Sequence, residues 1–160
     1  MEAPTFILDT TYILPFFGID IDVPGLKRDM ETLLTKKKRK IRFVVSSCSM
    51  IEAKWIVLSE YRKTRNPEVL DRYMEASLSL IWGKQVQLHH SFLDESTNSI
   101  ADRLWILGHQ DLMDCWIAGS AAALNGTLIT EDDVLKAIMR ECSETREIKT
   151  FTWDEFLRTL

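Results

Sequence analysis

Asp111-Leu112-Met113-Asp114-Cys115-Trp116-Ile117-Ala118-Gly119-Ser120-Ala121-Ala122-Ala123-Leu124-Asn125-Gly126-Thr127-Leu128-Ile129-Thr130-Glu131-Asp132 runs in order through a helix, a tight turn, a strand and an acid. Ile117, Ala118, Ala121 and Ala122 recur at helical spacing and form a small-residue face suited to close packing. Asn125-Gly126 ends that helix, because both residues tolerate the left-handed backbone of a helix terminus. Thr127 to Thr130 is then a short apolar strand buried on both sides. A helix that turns straight into such a strand predicts half of a parallel β-α-β unit.

The pattern extends in both directions. Thr5-Phe6-Ile7-Leu8 is a second buried strand, ending at Asp9. Residues 10–17 suit one or two helical turns. Pro24-Gly25 opens a helix with Leu26, Met30 and Leu33 on one face. Ile41-Arg42-Phe43-Val44-Val45 is a further strand, and Ser46 to Ser49 can cap the helix after it. There the apolar positions Ile51, Trp55 and Leu58 predict a buried face. Asn66-Pro67 interrupts, and Val69, Tyr73 and Leu80 continue as a second helix up to Gly83. Val86-Gln87-Leu88 is a weak strand. Asp94 caps a helix that carries Ile100, Leu104 and Leu107 and stops at Gly108. Residues 134–139 form a helix, 148–152 a last strand and 153–160 a terminal helix. The alternation predicts a single α/β domain over residues 1–160, with a mostly parallel central sheet and a helical arm over residues 49–83.

Composition narrows the class. A chain of 160 residues with 46% hydrophobic and 28% charged residues is not disordered. Lys plus Arg is 20 and Asp plus Glu is 24, a net charge of −4, which argues against a cationic coat protein for nucleic acid. Cys48, Cys115 and Cys142 are scattered, as suits a reducing compartment rather than a disulfide framework. No basic, apolar leader and no run of about 20 apolar residues is visible, so a cytoplasmic protein is expected.

Strand ends and following helix starts share one edge of a parallel sheet, the edge where ligands bind. Four segments each deliver a carboxylate there: Asp9, Glu52, Asp114 and Asp132. Such a cluster repels itself and takes up protons unless a cation relieves it. Mg2+ or Mn2+ suits an all-oxygen donor set, and phosphodiester hydrolysis is the natural reaction. Each acid also has a plain structural role open to it. Asp9 can cap the turn that follows, while Glu52 and Asp114 suit the first turns of helices. Met50, Ile51, Trp55 and Ile56 around Glu52 predict that it lies on the buried side, where a lone acid is costly.

These segments resemble the PIN-domain nucleases, and among them the VapC-like toxin ribonucleases. Phe6-Ile7-Leu8-Asp9-Thr10-Thr11 resembles the family's opening strand and turn. Ser49-Met50-Ile51-Glu52-Ala53 resembles its glutamate segment, Asp114-Cys115-Trp116-Ile117-Ala118 its third acid, and Leu128-Ile129-Thr130-Glu131-Asp132 its Thr-x-Asp strand end. The resemblance implies a three-layer α/β/α fold and a Mg2+- or Mn2+-dependent ribonuclease acting on single-stranded RNA. It also implies a homodimer and, for a toxin of a type II toxin–antitoxin system, an antitoxin protein that silences it. By resemblance Asp9, Glu52, Asp114 and Asp132 are the catalytic and metal-binding acids, supported by the hydroxyls of Thr10 and Thr130. Asp133 competes with Asp132 for the fourth place, and Leu135 stands where the family often has an aromatic. Asp111 either caps its helix or adds an outer acid.

Other features take plainer readings. Lys36-Lys37-Lys38-Arg39-Lys40 is expected to be a solvated helix end on the edge opposite the acids. His89 and His90 are neighbours on a strand and would face opposite sides. His109, close before Asp111, could touch phosphate or metal but reads rather as a loop residue, and Tyr73, Leu80 and Trp82 read as core or interface. Rival functions are a catalytically silent PIN-like module that binds RNA or protein, and an RNA-processing nuclease that is not a toxin. An aspartyl-nucleophile phosphatase would want an acid at position 11, where Thr11 stands.

Overall fold

The computed structural model describes residues 3–35, 41–83 and 86–160. The basic run of residues 36–40 lies outside them. Five strands form one parallel sheet in the order β3-β2-β1-β4-β5. They are β1 (Thr5–Leu8), β2 (Arg42–Ser46), β3 (Val86–His89), β4 (Thr127–Ile129) and β5 (Thr150–Phe151). Phe6 pairs with Phe43 on one side of β1 and with Thr127 on the other, placing β1 at the centre.

Successive residues of a strand point to opposite faces, so each apolar strand feeds two cores. Phe6, Leu8, Phe43, Val45 and Ile129 enter one core, while Ile7, Val44 and Leu128 enter the other. The first face is covered by α1 (Leu26–Thr35), α2 (Ser47–Thr64), α3 (Glu68–Trp82) and α7 (Trp153–Arg158). The second is covered by α4 (Glu95–Ile106), α5 (Leu112–Ala123) and α6 (Asp133–Glu141). This is the expected three-layer α/β/α arrangement.

The helix–turn–strand unit of residues 111–132 is built as its sequence requires. Asn125 takes a positive φ of 47°. Gly126 lies so close to β1 that an added Cβ would meet the Thr5 carbonyl at 3.1 Å and collide with Ile7. The small-residue face of α5 packs tightly on α4, where a Cβ on Gly119 would stand 2.7 Å from the Thr97 carbonyl.

One expectation fails. Ile51 and Trp55 are 44% and 64% exposed; the inner face of α2 is Cys48, Ala53 and Val57 instead. Of the three residues expected in the core or an interface, Leu80 is buried, Tyr73 is half-buried with its hydroxyl donating to the Met50 carbonyl, and Trp82 is 79% exposed and lies outside the core. An eighteen-residue helix carries more apolar residues than the sheet can cover, so periodicity alone assigned the wrong stripe. The last strand is also shorter than expected, limited to Thr150–Phe151. Among the described residues no helix is long and apolar enough to cross a membrane.

Candidate active site

Asp9 leaves the C-terminal end of β1 and begins a 3-10 turn over Thr10–Tyr12. It is 8% exposed. One carboxylate oxygen accepts the Thr10 backbone N–H at 2.6 Å and the other accepts the Thr130 hydroxyl at 2.7 Å. The Asp9 backbone N–H donates to the Ile129 carbonyl at 3.1 Å, which ties the ends of β1 and β4 together. Thr130 Oγ1 also accepts the Asp132 backbone N–H at 3.1 Å. On the other side, Thr10 Oγ1 donates to Glu52 Oε2 at 2.5 Å. Thr10, through its backbone N–H and its hydroxyl, and Thr130, through its hydroxyl, therefore link Glu52, Asp9 and the Asp132 backbone.

Asp114 lies in the first turn of α5, capped by Asp111, whose carboxylate accepts the Met113 N–H at 2.8 Å. Asp111 is thus the helix cap. Asp132 caps α6, one oxygen accepting Val134 and Leu135 N–H at 2.8 and 2.9 Å. Its other oxygen lies 4.0 Å from His109 Nε2. The same nitrogen lies 3.2 Å from Asp114 Oδ2. Asp133 points away: its side chain is 93% exposed and pairs with Lys136 at 3.2 Å. Geometry thus favours Asp132 over Asp133 as the fourth acid of the cluster.

His109 is the residue for which the sequence favoured a plain loop role over contact with phosphate or metal. It does lie in the loop between α4 and α5, but it is 5% exposed and stands between two of the acids. Its backbone N–H donates to the Leu104 carbonyl at 3.2 Å, just after Gly108 turns with a φ of 114°. The cue available in the sequence was its place, five residues before Asp114 and directly after a helix-ending glycine. His89 instead meets the Thr97 hydroxyl at 3.2 Å, and the His90 ring faces Phe92.

The electrostatics follow from this crowding. Burial pushes the Asp9 carboxyl up to about 7, and the charges of Asp114 and Glu52 add to the effect against the hydrogen bonds from Thr130 and Thr10. Glu52 is raised by burial and by repulsion from Asp114 and Asp111. Asp114 is raised by burial and by Asp111 and Asp132, against the hydrogen bond from His109. Among the described residues no lysine or arginine forms an ion pair with Asp9, Glu52, Asp114 or Asp132. Several acids held together without a lysine or arginine partner form a donor set that fits a hard divalent cation. One ligand-type atom from each of His109, Asp114 and Asp132 lies within 4.8 Å of the others. Cavities of about 260 and 510 Å³ lie elsewhere, around Pro15, Gly18, Lys27 and Arg72, and none of the four acids lines them.

No family model and no curated protein matches the sequence. Solved structures match over nearly the whole chain. VapBC2 from Rickettsia felis, solved bound to a DNA fragment from its promoter, has 17% identity and a TM-score of 0.58, covering 94% of this chain and 99% of that one. VapBC-1 from nontypeable Haemophilus influenzae has 17% identity and a TM-score of 0.59 over 94% and 98%. VapBC-5 from Mycobacterium tuberculosis, a member of the VapBC family of toxin–antitoxin systems, has 17% identity and a TM-score of 0.54 over 92% and 96%. At this identity the likeness is one of fold, and it is the PIN-like α/β/α fold that the sequence resemblance implies.

Proposed function

We propose that this protein is a metal-dependent endoribonuclease of the PIN type that hydrolyses phosphodiester bonds of single-stranded RNA as the toxin of a type II toxin–antitoxin pair. The observation that carries it is the crowding of Asp9, Glu52, Asp114 and Asp132 at the C-terminal edge of the sheet, close enough to repel one another, with no lysine or arginine ion-paired to them among the described residues. A bound Mg2+ or Mn2+ would neutralise charge on the phosphoryl group and acidify water.

Asp9, Asp114 and Asp132 would hold the ion, with Glu52 completing the pocket. Asp9 is fixed by two hydrogen bonds and is already buried, so it needs little reorganisation to do so. Asp132 spends one oxygen on the α6 N-terminus and keeps the other for the pocket. Glu52 receives the Thr10 hydroxyl on Oε2, which leaves Oε1 to orient the attacking water and take its proton. Burial and the neighbouring acids raise its pKa, which makes it a stronger base than an ordinary carboxylate. Water adds to phosphorus in line as the bond to the 3′-oxygen breaks, leaving a 5′-phosphate and a 3′-hydroxyl.

An antitoxin that silences the site by placing a basic segment in this acidic cleft is the partner this charge arrangement suits. Exposed Ile51 and Trp55 on α2, and Met74, Leu78 and Trp82 on α3, supply apolar surface for that partner or for a homodimer. Both would act in the cytoplasm.

The test is cleavage of labelled single-stranded RNA by the purified protein with Mn2+, with Mg2+ and with EDTA, beside Asp114→Asn. Cleavage that needs metal and disappears in the variant is expected. A protein that binds Mn2+ without cutting any of several RNAs would be the silent binding module instead. Specific trimming of one structured precursor would make it an RNA-processing nuclease.

A further inference from the structure

We propose that His109 is itself a ligand of the ion, through Nε2, so that the centre has mixed nitrogen and oxygen donors and selects Mn2+ and similar transition ions over Mg2+. The inference rests on the reading of the four acids as an ion site. It goes beyond that reading in naming a fifth donor of a different chemical kind.

The geometry supports it in several ways. His109 is 5% exposed, and its ring is aimed at the acids rather than at solvent. Its backbone is anchored on both sides, by its N–H to the Leu104 carbonyl at 3.2 Å and by its carbonyl, which the Cys115 thiol approaches at 3.9 Å. Nε2 stands 3.2 Å from Asp114 Oδ2 and 4.0 Å from Asp132 Oδ2. Ligands about 2.1 Å from one ion lie roughly 3 Å apart when adjacent and roughly 4 Å apart when opposite. The observed separations fall in that range.

The other ring nitrogen adds a second observation. His109 Nδ1 is buried and has no hydrogen-bond partner in the protein. Nδ1 can therefore take the ring proton, which lets Nε2 give up its hydrogen bond to Asp114 Oδ2 and present its lone pair to an ion. Without an ion Nε2 donates to Asp114 Oδ2; with one, its lone pair faces the cation in that proton's place, between two carboxylates. Asp132 adds to this, because its other oxygen is committed to two backbone N–H groups and Oδ2 remains for the ion. Imidazole nitrogen suits Zn2+, Fe2+ and Ni2+ best, and Mn2+ accepts it more readily than Mg2+, which demands oxygen and keeps its waters.

The experiment uses the full chain and Mn2+ as the probe. Mn2+ is titrated with and without competing Mg2+, the free ion being followed by its EPR signal. Pulsed EPR of the bound ion then reads any 14N coupling. Wild type is expected to show coupling to one imidazole nitrogen. His109→Gln should lose that coupling and reduce the preference for Mn2+ over Mg2+ roughly tenfold. Bound Mn2+ that is lost in Asp114→Asn but shows no 14N coupling in wild type would overturn the role of His109 and leave the carboxylate centre standing. An unchanged Mn2+ preference in a folded His109→Gln protein would do the same. No bound Mn2+ at all would refute the carboxylate centre and the histidine ligand together. The wild-type coupling decides the point even if the variant fails to fold.

Discussion

Replacing Asp9 by asparagine is expected to stabilise the metal-free protein at alkaline pH while destroying its ion site. In the folded state burial raises the Asp9 carboxyl from 3.8 to about 7. Between those values the folded state holds a proton that the unfolded state releases. The stability linked to it is therefore complete below pH 3.8 and is lost as the pH rises through 7. At about 1.4 kcal/mol per pH unit, the full penalty is about 4 kcal/mol, of which roughly 2 to 3 kcal/mol is incurred between pH 5 and pH 8. Asp9 is only 8% exposed, so solvent screening takes little from this figure.

Asparagine keeps the acceptor for the Thr10 N–H and offers an amide to Thr130 Oγ1, which must reorient its hydroxyl. That exchange costs up to about 1 kcal/mol at every pH, and it cancels when two pH values are compared. With an unfolding entropy of about 2.1 cal/mol/K per residue over 160 residues, the difference corresponds to roughly 6 to 9 °C in melting temperature. The assay is thermal unfolding of both proteins in EDTA from pH 5 to pH 8. Wild type should lose melting temperature relative to Asp9→Asn as the pH rises. Added Mn2+ should then raise the wild type alone. A wild-type-minus-variant difference that stays flat across this range would refute the buried, proton-binding Asp9.

Asp132→Asn should keep the cap of α6, since asparagine caps as well as aspartate, yet lower RNA cleavage roughly 100-fold or more. Asp133→Asn should leave cleavage unchanged and stability within about 0.5 kcal/mol, and the reverse outcome would reassign the fourth acid. Gly119→Ala should destabilise the fold by about 1 to 2 kcal/mol in urea unfolding. The Cβ would meet the Thr97 carbonyl at 2.7 Å, a backbone clash that exceeds the gain of about 1 kcal/mol in helix propensity. Cys48, Cys115 and Cys142 are all free and buried, and the Cys115 thiol is pushed up to about 12, first by burial and then by Asp114 and Asp111. No thiol should therefore react with a disulfide reagent at pH 8 until the protein unfolds, and rapid labelling of the native protein would contradict this packing.

The order of strands and helices was legible along the chain because apolar runs, caps and helix stops are local. Asp94, Asp111 and Ser46 cap the helices they were expected to cap, and Asn125-Gly126 turns where it should. The four acids were also legible, since a parallel sheet brings strand ends and helix starts to one edge whatever the details of packing. Tertiary structure alone decided which side of α2 is buried, because two apolar stripes competed and the one that carries Cys48, Ala53 and Val57 is the inner one. It alone separated Asp132 from Asp133, since a one-residue step at a helix cap turns one carboxylate toward His109 and the other to solvent. His109 became a site residue only when the end of α4 was packed against the start of α5 and the end of β4. Its partners are neighbours in space and lie on different elements, and no periodicity in the sequence records that.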